Sequence, residues 1–244
     1  MKDQIVSELR KLTTTRSAFA LLAGLLAVVG LGAVAITTDG EPNPLVPLEG
    51  QAFLNVVLSI TPIFALLLGI RSFTDEFRFG SIVPTLLANP RRLRVLAAKV
   101  VTTAAGGIVL ALAATTVAIA VGAPILIGKG WDITWSVGAM GAVVGRLVVA
   151  SALWTTIGVG VGLAIRHQVA AVAGSLVWMI AGEGIVGGLL PDVARYFPGS
   201  AGFAVVGINA SGLLAPVTAA ILLGGYALVA VVAGGTLMQR RDIA

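Results

Sequence analysis

Residues 17–38 read SAFALLAGLLAVVGLGAVAITT, 22 residues without a single charge. A helix rises about 1.5 Å per residue and a bilayer's hydrocarbon core is about 30 Å thick, so this stretch is long enough to cross it. Further apolar runs follow at Ala52–Ile70, Val100–Gly128, Ile133–Ile165 (interrupted only by Arg146) and Val169–Leu190 (interrupted only by Glu183). After Arg195 comes an uncharged run of 44 residues, Tyr196–Gln239. The composition agrees, since 57% of the 244 residues are hydrophobic and only 11% are charged. A soluble domain carries about 25% charged residues because its surface must face water. The chain therefore reads as an all-α integral membrane protein, and a soluble enzyme, a disordered tail or a disulfide scaffold is excluded. With no cysteine, disulfides, thiolate metal ligands and thiol catalysis are excluded as well.

The last run, at about 66 Å if helical, could hold two spans, or one span and an element that dips in and returns. The distribution of basic residues chooses between them. With six spans and cytoplasmic termini, Lys2, Arg10, Lys11, Arg16, Arg71, Arg78, Arg91, Arg92, Arg94, Lys99, Arg166, Arg240 and Arg241 lie inside, 13 of the 16 basic residues. Only Lys129 and Arg195 lie outside, and Arg146 is within a span. The net charge of +5 is thus mostly a topology signal, and no nucleic-acid partner is expected. Pro198, Gly199, Gly202, Gly207, Gly212 and Pro216 break up the first half of the last run. Residues 197–214 are accordingly read as a re-entrant outer element, with the sixth span starting near Pro216. Trp131 and Trp135 bracket the outer start of span four, where interfacial aromatics sit.

Ahead of the first span, Ile5, Leu9 and Leu12 recur at i, i+4 and i+7, with Lys2, Arg10 and Lys11 on other faces. Residues 1–16 are therefore expected to form an amphipathic helix on the inner leaflet rather than a cleaved signal peptide. With no internal repeat, residues 1–244 read as a single membrane domain.

The chemistry of an enzyme is missing. The single histidine, His167, sits at the rim of span four without further metal ligands at helical spacing, and Lys129 in Gly-Lys-Gly lacks the phosphate-loop pattern. Neither a metal site nor a catalytic residue is expected. Gly158, Gly160 and Gly162 lie inside an apolar span with no preceding strand, so they read as helix packing; Gly141/Gly145 and Gly184/Gly188 share the G-x-x-x-G spacing. Arg146 and Glu183 both fall in the outer half of the membrane, where charge is costly and usually partnered. Two readings stand: an ion pair, within one subunit or across a dimer, or an arginine snorkelling to headgroups beside a protonated glutamate. Gln51, Asn55 and Ser59 share one helix face, as do Ser175, Met179 and Glu183. With Phe53 and Trp178 these are the candidate lining of an outer cavity suited to a hydrophobic or amphiphilic substrate.

The most mixed stretch is the inner loop 71–99, which opens RSFTDEFRFGSIVPTLLANPRRLR. It is far longer than a tether requires, which points to a docking surface. Its motifs resemble those of the type-2 ABC exporter permeases: Glu76, Gly80, Ser81, Ile82, Leu86, Leu87, Pro90, Arg92 and Lys99 fall on the family's Glu-x-x-x-Gly-Thr-Ile, leucine-rich, Pro-x-Arg and Lys pattern, with serine at the usual threonine. The opening Ser7–Leu12 with Thr15, Arg16 and Ser17 is similar to the family's connecting helix, and the ending Arg240, Arg241, Asp242 and Ile243 is similar too.

The resemblance implies six helices per subunit and a permease pair, either a homodimer or a heterodimer. It also implies two separate ATPase subunits that bind ATP and Mg, with no cofactor in this chain. On that reading Glu76 and Arg78 are exposed charges for the ATPase, Phe77, Phe79, Ile82 and Leu86 fill an apolar groove on it, Gly80 makes the turn and Pro90 ends a cytoplasmic coupling helix. The chain would sit in the plasma membrane with both termini cytoplasmic. The rival readings are a stand-alone secondary transporter using Glu183, or a membrane anchor or assembly protein.

Overall fold

The computed structural model describes residues 2–39, 48–88, 91–131, 133–134, 136–208 and 212–240. Pro90, Trp135, Arg241, Asp242 and Ile243 lie outside the described residues, as do the side chains of Gln51 and Leu86. Among the described residues, six helices are long and apolar enough to cross a membrane: Arg16–Thr37, Ala52–Arg78, Arg92–Gly128, Val137–Ile165, Gln168–Leu189 and Pro216–Arg240. The chain is a multi-pass, all-helical membrane protein.

Helix α1 (Lys2–Thr14) is separated from α2 (Arg16–Asp39), the first span, by Thr15 alone. Span two is two helices, α3 (Gly50–Leu58) and α4 (Thr61–Arg78). The break between them has a local cause. Pro62 lacks an N–H and its ring crowds the carbonyl four residues back, that of Leu58, where α3 ends. Helix α4 does not stop at Ile70 as the hydropathy alone suggests. It runs on to Arg78, turns at Gly80, whose φ of +67° suits glycine, and leads into the short α5 (Ile82–Ala88).

Helix α6 (Arg92–Gly128) is 37 residues long, about 55 Å, so its basic first turns project beyond a 30 Å core. The expected inner loop is therefore mostly helix, with 71–78 belonging to α4 and 92–99 to α6. Helix α7 (Val137–Ile165) starts after the expected Ile133, because Ile133 and Thr134 instead form a two-residue parallel ladder with Leu48 and Glu49. Ser136 caps α7 by accepting from the Ala139 N–H. Span five is α8 (Gln168–Val177), a π-helical turn (Trp178–Gly182) and α9 (Glu183–Leu189). After α10 (Pro191–Ala194) and α11 (Pro198–Val206), α12 (Pro216–Arg240) forms the sixth span and starts at the expected proline.

Helix α7 is the centre, packed on α4, α6 and α12. Small residues set the spacing. A Cβ on Gly158 would meet Leu66 O and come within 2.8 Å of Ile70 N, so α4 and α7 touch backbone to backbone. Gly69 and Gly162 sit equally close to Thr155 O and Ile70 O, Gly160 meets Ala230 of α12, and Gly107 of α6 meets Ser151 O. This is how helices gain contact in lipid, where no hydrophobic force drives them together. The other two glycine pairs do not take part: Gly141, Gly145, Gly184 and Gly188 have open space around them. The best-packed windows are those of spans two and four, 61% and 56% buried, whereas span five is 11% buried and spans one and six 22% each. The last three form the periphery, facing lipid or another chain.

Because backbone, not a flexible side chain, opposes a Cβ at Gly158, Gly158→Ala should lower the unfolding midpoint sharply, with overpacking of about 1–3 kcal/mol or more. Gly141→Ala should leave it unchanged. Thermal unfolding in one detergent compares the two, and similar effects would contradict this packing.

Candidate functional site

Several contacts gather the ends of α1, α4, α6, α7, α8 and α12 at one end of the bundle. Arg78 donates to Gln168 Oε1 at 3.3 Å, Arg92 donates to Met238 O at 2.5 Å, and the Arg166 guanidinium lies 5.0 Å from the Phe77 ring centre. This is the end rich in basic residues, and its core is a cluster of four charges. The Lys99 ammonium on α6 donates to Glu8 Oε2 of α1 at 2.6 Å and to Glu76 Oε1 of α4 at 2.9 Å. Lys11 of α1 donates to Glu8 Oε1 at 2.7 Å and to Glu76 Oε1 at 2.6 Å. Glu8, Glu76 and Lys99 are buried, and Lys99 also stands 5.0 Å over the Phe73 ring. Three helices far apart in sequence are thus clamped by two carboxylates and two ammoniums. Beside the clamp lies a cavity of about 290 Å³ between α1, α2, α4 and α6.

The clamp corrects the reading of Glu76 as an exposed charge. Two amines brought from α1 and α6 make its burial possible. Phe77 and Ile82 also turn inward, to a small core around Phe73, Leu96, Val159, Leu163 and Met238. What faces out is Phe79, 71% exposed, Leu87, 80% exposed, and the smaller Val83. Arg78 is exposed as expected and lies over the Phe79 ring at 5.4 Å. Val83, Lys11 and Glu8 are not among the site residues that the sequence points to. The available signal was a lysine at 99 inside the apolar run Val95–Val101, which demands a carboxylate partner.

At the opposite end, the candidate pathway residues do not form two continuous stripes. Ser59 lies in the turn after α3 and bonds Val56 O. Asn55 donates to Gly207 O at 3.0 Å, while Phe53 is buried against Gly122 within the chain's own core. Ser175 and Met179 are half-buried and Trp178 is exposed, edge-on to Phe197. A π-helical turn, Trp178–Gly182, lies between Ser175 and Glu183.

Glu183 is buried and accepts the N–H groups of Gly199 at 2.8 Å and Ser200 at 3.1 Å, in the first turn of α11. A carboxylate there complements the helix dipole. Arg146 instead lies against Gly207, and among the described residues no ion pair joins it to Glu183 within the chain. The expected intrachain pair is not formed, because the backbone of α11 has taken the carboxylate. His167 is exposed and caps α8 by accepting from the Ala170 N–H, and among the described residues no group of ligands could hold a metal ion. No family model matches the chain, and none of the curated proteins compared with it is similar enough to count as a match.

Glu8 and Lys11 hold their charges over a broad pH range. Burial pushes the Glu8 carboxyl up, but the Lys99 charge and hydrogen bonds from both lysines outweigh it and hold the group below its ordinary 4.5. Burial pulls Lys11 down, and its bonds to Glu76 and Glu8 outweigh that to hold it above 10.5. A lowered acid stabilises above its unfolded value and is lost as pH falls through the folded one; a raised base is lost as pH rises through its folded value.

The unfolding midpoint should therefore carry the contribution of Glu8 and Lys11 at neutral pH, and lose the share of Glu8 as pH falls below 4.5 and that of Lys11 as it rises above 10.5. Lys99→Met should cost about 3–5 kcal/mol, since it leaves buried carboxylates uncompensated. Lys11→Met, at a side chain 40% exposed, should cost much less. Denaturant titration at neutral pH distinguishes them, and equal small losses would contradict a buried clamp.

Proposed function

We propose that the chain is the membrane-spanning permease subunit of an ABC exporter, working as one of two permeases with two separate ATPase subunits that bind ATP and Mg. The observation that carries this reading is the outward apolar corner formed by Phe79, Val83 and Leu87. It sits at the end of α4, which α7 contacts along its backbone and the clamp ties to α1 and α6. An exposed aromatic anchor is what a partner interface uses. A push on Phe79 would reach the centre of the bundle through α4, with Val83 and Leu87 joined to it across the turn at Gly80. Placing this end in the cytoplasm follows from its basic residues, and the cell membrane is the location that fits.

The substrate path is assigned to the half-buried Asn55, Ser175 and Met179 with the exposed Trp178, where a second permease meets the lightly buried span five. Mostly apolar lining of that kind suits a hydrophobic or amphiphilic substrate. A carrier using Glu183 would need that carboxylate open to water, whereas it is buried and both its oxygens accept backbone N–H groups.

Phe79→Asp and Leu87→Asp alter side chains in solvent, so both variants should insert and unfold like the wild type. Each should lose most co-purification with the proposed ATPase subunit, and most transport. Normal pairing and transport in both variants would refute this corner as the docking element. Glu76→Ala is a poorer probe, because it also breaks the clamp.

A further inference from the structure

Across residues 178–190, the outer half of span five, Glu183 is the one buried side chain. Around it Trp178, Ile180, Ile185 and Leu189 are all exposed. For a helix in lipid this inverts the usual order, because an ionisable group is costly there and apolar side chains make the ordinary contacts. The inner half of the span, α8, packs on α4 and α7, and half-buried Met179 touches the core. The outer helix α9 packs closely only on the π-helical turn before it and on α10 after it. What joins it to the bundle is the carboxylate, which accepts from Gly199 N–H at 2.8 Å and Ser200 N–H at 3.1 Å. The Trp178 ring meets Phe197 beside it. Both contacts fall at the start of α11.

Helix α11 has a separate hold on the bundle. Ala201, Ala204, Val205 and Val206 are buried, and the helix packs on α7 and α12. A Cβ on Gly202 would come within 2.7 Å of Trp154 Nε1 of α7. At the far end of α11, Asn55 donates to Gly207 O at 3.0 Å, and Arg146 lies against Gly207, where a cation complements the helix dipole. Just before α11, the Tyr226 hydroxyl of α12 donates to Tyr196 O at 3.0 Å. The two attachments differ in kind. Packing spread over many atoms loosens by degrees, whereas hydrogen bonds to one carboxylate are made or broken together. A place to bend is present too, because the π-helical turn Trp178–Gly182 directly precedes Glu183 and helix kinks concentrate at such turns.

We infer that the contact between Glu183 and α11 is a releasable latch on the outer half of span five, closed in this structure. On release α9 swings away about the π-helical turn, while α11 stays with α7 and α12. The carboxylate sits about 9 Å from the outer end of α9, so once freed it meets interfacial water rather than acyl chains. Closure requires glycine at 199, because a Cβ there would come within 2.5 Å of Glu183 Oε2 and 2.9 Å of its Cδ. On the permease reading the latch sets where Trp178 and Met179 stand in the substrate path. The latch itself belongs to this chain alone, so its failure would leave that reading standing, and the reverse holds as well.

The test uses the full chain in nanodiscs, with spin labels on introduced cysteines read by pulsed dipolar spectroscopy. One pair joins Ile185 on α9 to Leu228 on α12, and a control pair joins Phe203 on α11 to the same Leu228, all three exposed. The first pair should give one dominant distance in the otherwise unaltered chain. Glu183→Gln removes the charge, and Gly199→Ala blocks closure with the carboxylate still present. In each, a second and longer distance should gain population at least about tenfold, the least expected when one hydrogen bond to a charged group is lost. Gly184→Ala, next to Glu183 but with open space around it, should leave the distribution unchanged. The control pair should keep its distance throughout. A single unchanged distance for Ile185 in both latch variants would overturn the inference, because other contacts would then hold α9. Loss of the control distance in those variants would overturn it as well, since Glu183 would then be supporting the fold of α11. Two comparable populations in the unaltered chain would show that no latch is closed.

Discussion

A lysine ammonium buried to 2% exposure between two carboxylates is the constraint on which the rest of this structure depends. Removing such an ion from water costs several kcal/mol, and only close, well-directed hydrogen bonds repay that. Lys99 finds them because α1 supplies Glu8 and α4 supplies Glu76, while Lys11 supplies the second positive charge. The consequence is positional. Helix α1 would otherwise be free to slide on a membrane surface, but the clamp fixes its rotation and places it against α6. The cavity exists because α1 is held there, spanning the gap between α2 and α4.

The clamp's rigidity matters because of what α4 touches. In lipid the helices gain nothing from hiding apolar surface from one another, so contact depends on close approach. Gly69, Gly158 and Gly162 let α4 and α7 meet backbone to backbone, and Gly160 does the same for α12. Spans one, five and six lie around this core with most of their surface uncovered. On the proposed reading, a force applied at the Phe79 corner would enter the most closely packed part of the described molecule. The peripheral spans, with Trp178 and the π-helical turn, are the part left to rearrange against lipid or a neighbouring chain.

Much of the fold was legible in the sequence because bilayer thickness sets a length rule that apolar runs obey. Six spans, the helix before the first, the start at Pro216 and the packing role of Gly158, Gly160 and Gly162 all follow from composition and spacing. The limits of span two were not legible, because Asp75, Glu76 and Arg78 look like loop by hydropathy yet have no backbone reason to leave a helix. The site was less legible. Nothing local says that positions 8, 76 and 99 meet, and residues expected to face a partner, Glu76, Phe77 and Ile82, are used inside. Only the third dimension could show that the α11 N-terminus satisfies Glu183 in place of Arg146, or that span five carries a π-helical turn just before Glu183.

The central claim is that the clamp makes α1, α4 and α6 one body. Because the chain has no cysteine, a pair of introduced cysteines reports on it cleanly. Spin labels at Val6 on α1 and Leu93 on α6, both exposed, read the spacing of those helices by pulsed dipolar spectroscopy in nanodiscs. The account predicts one narrow distance distribution in the otherwise unaltered protein, and a broad one once Lys99→Met removes the shared ammonium. A broad distribution in the intact protein, or a narrow one that survives Lys99→Met, would contradict it.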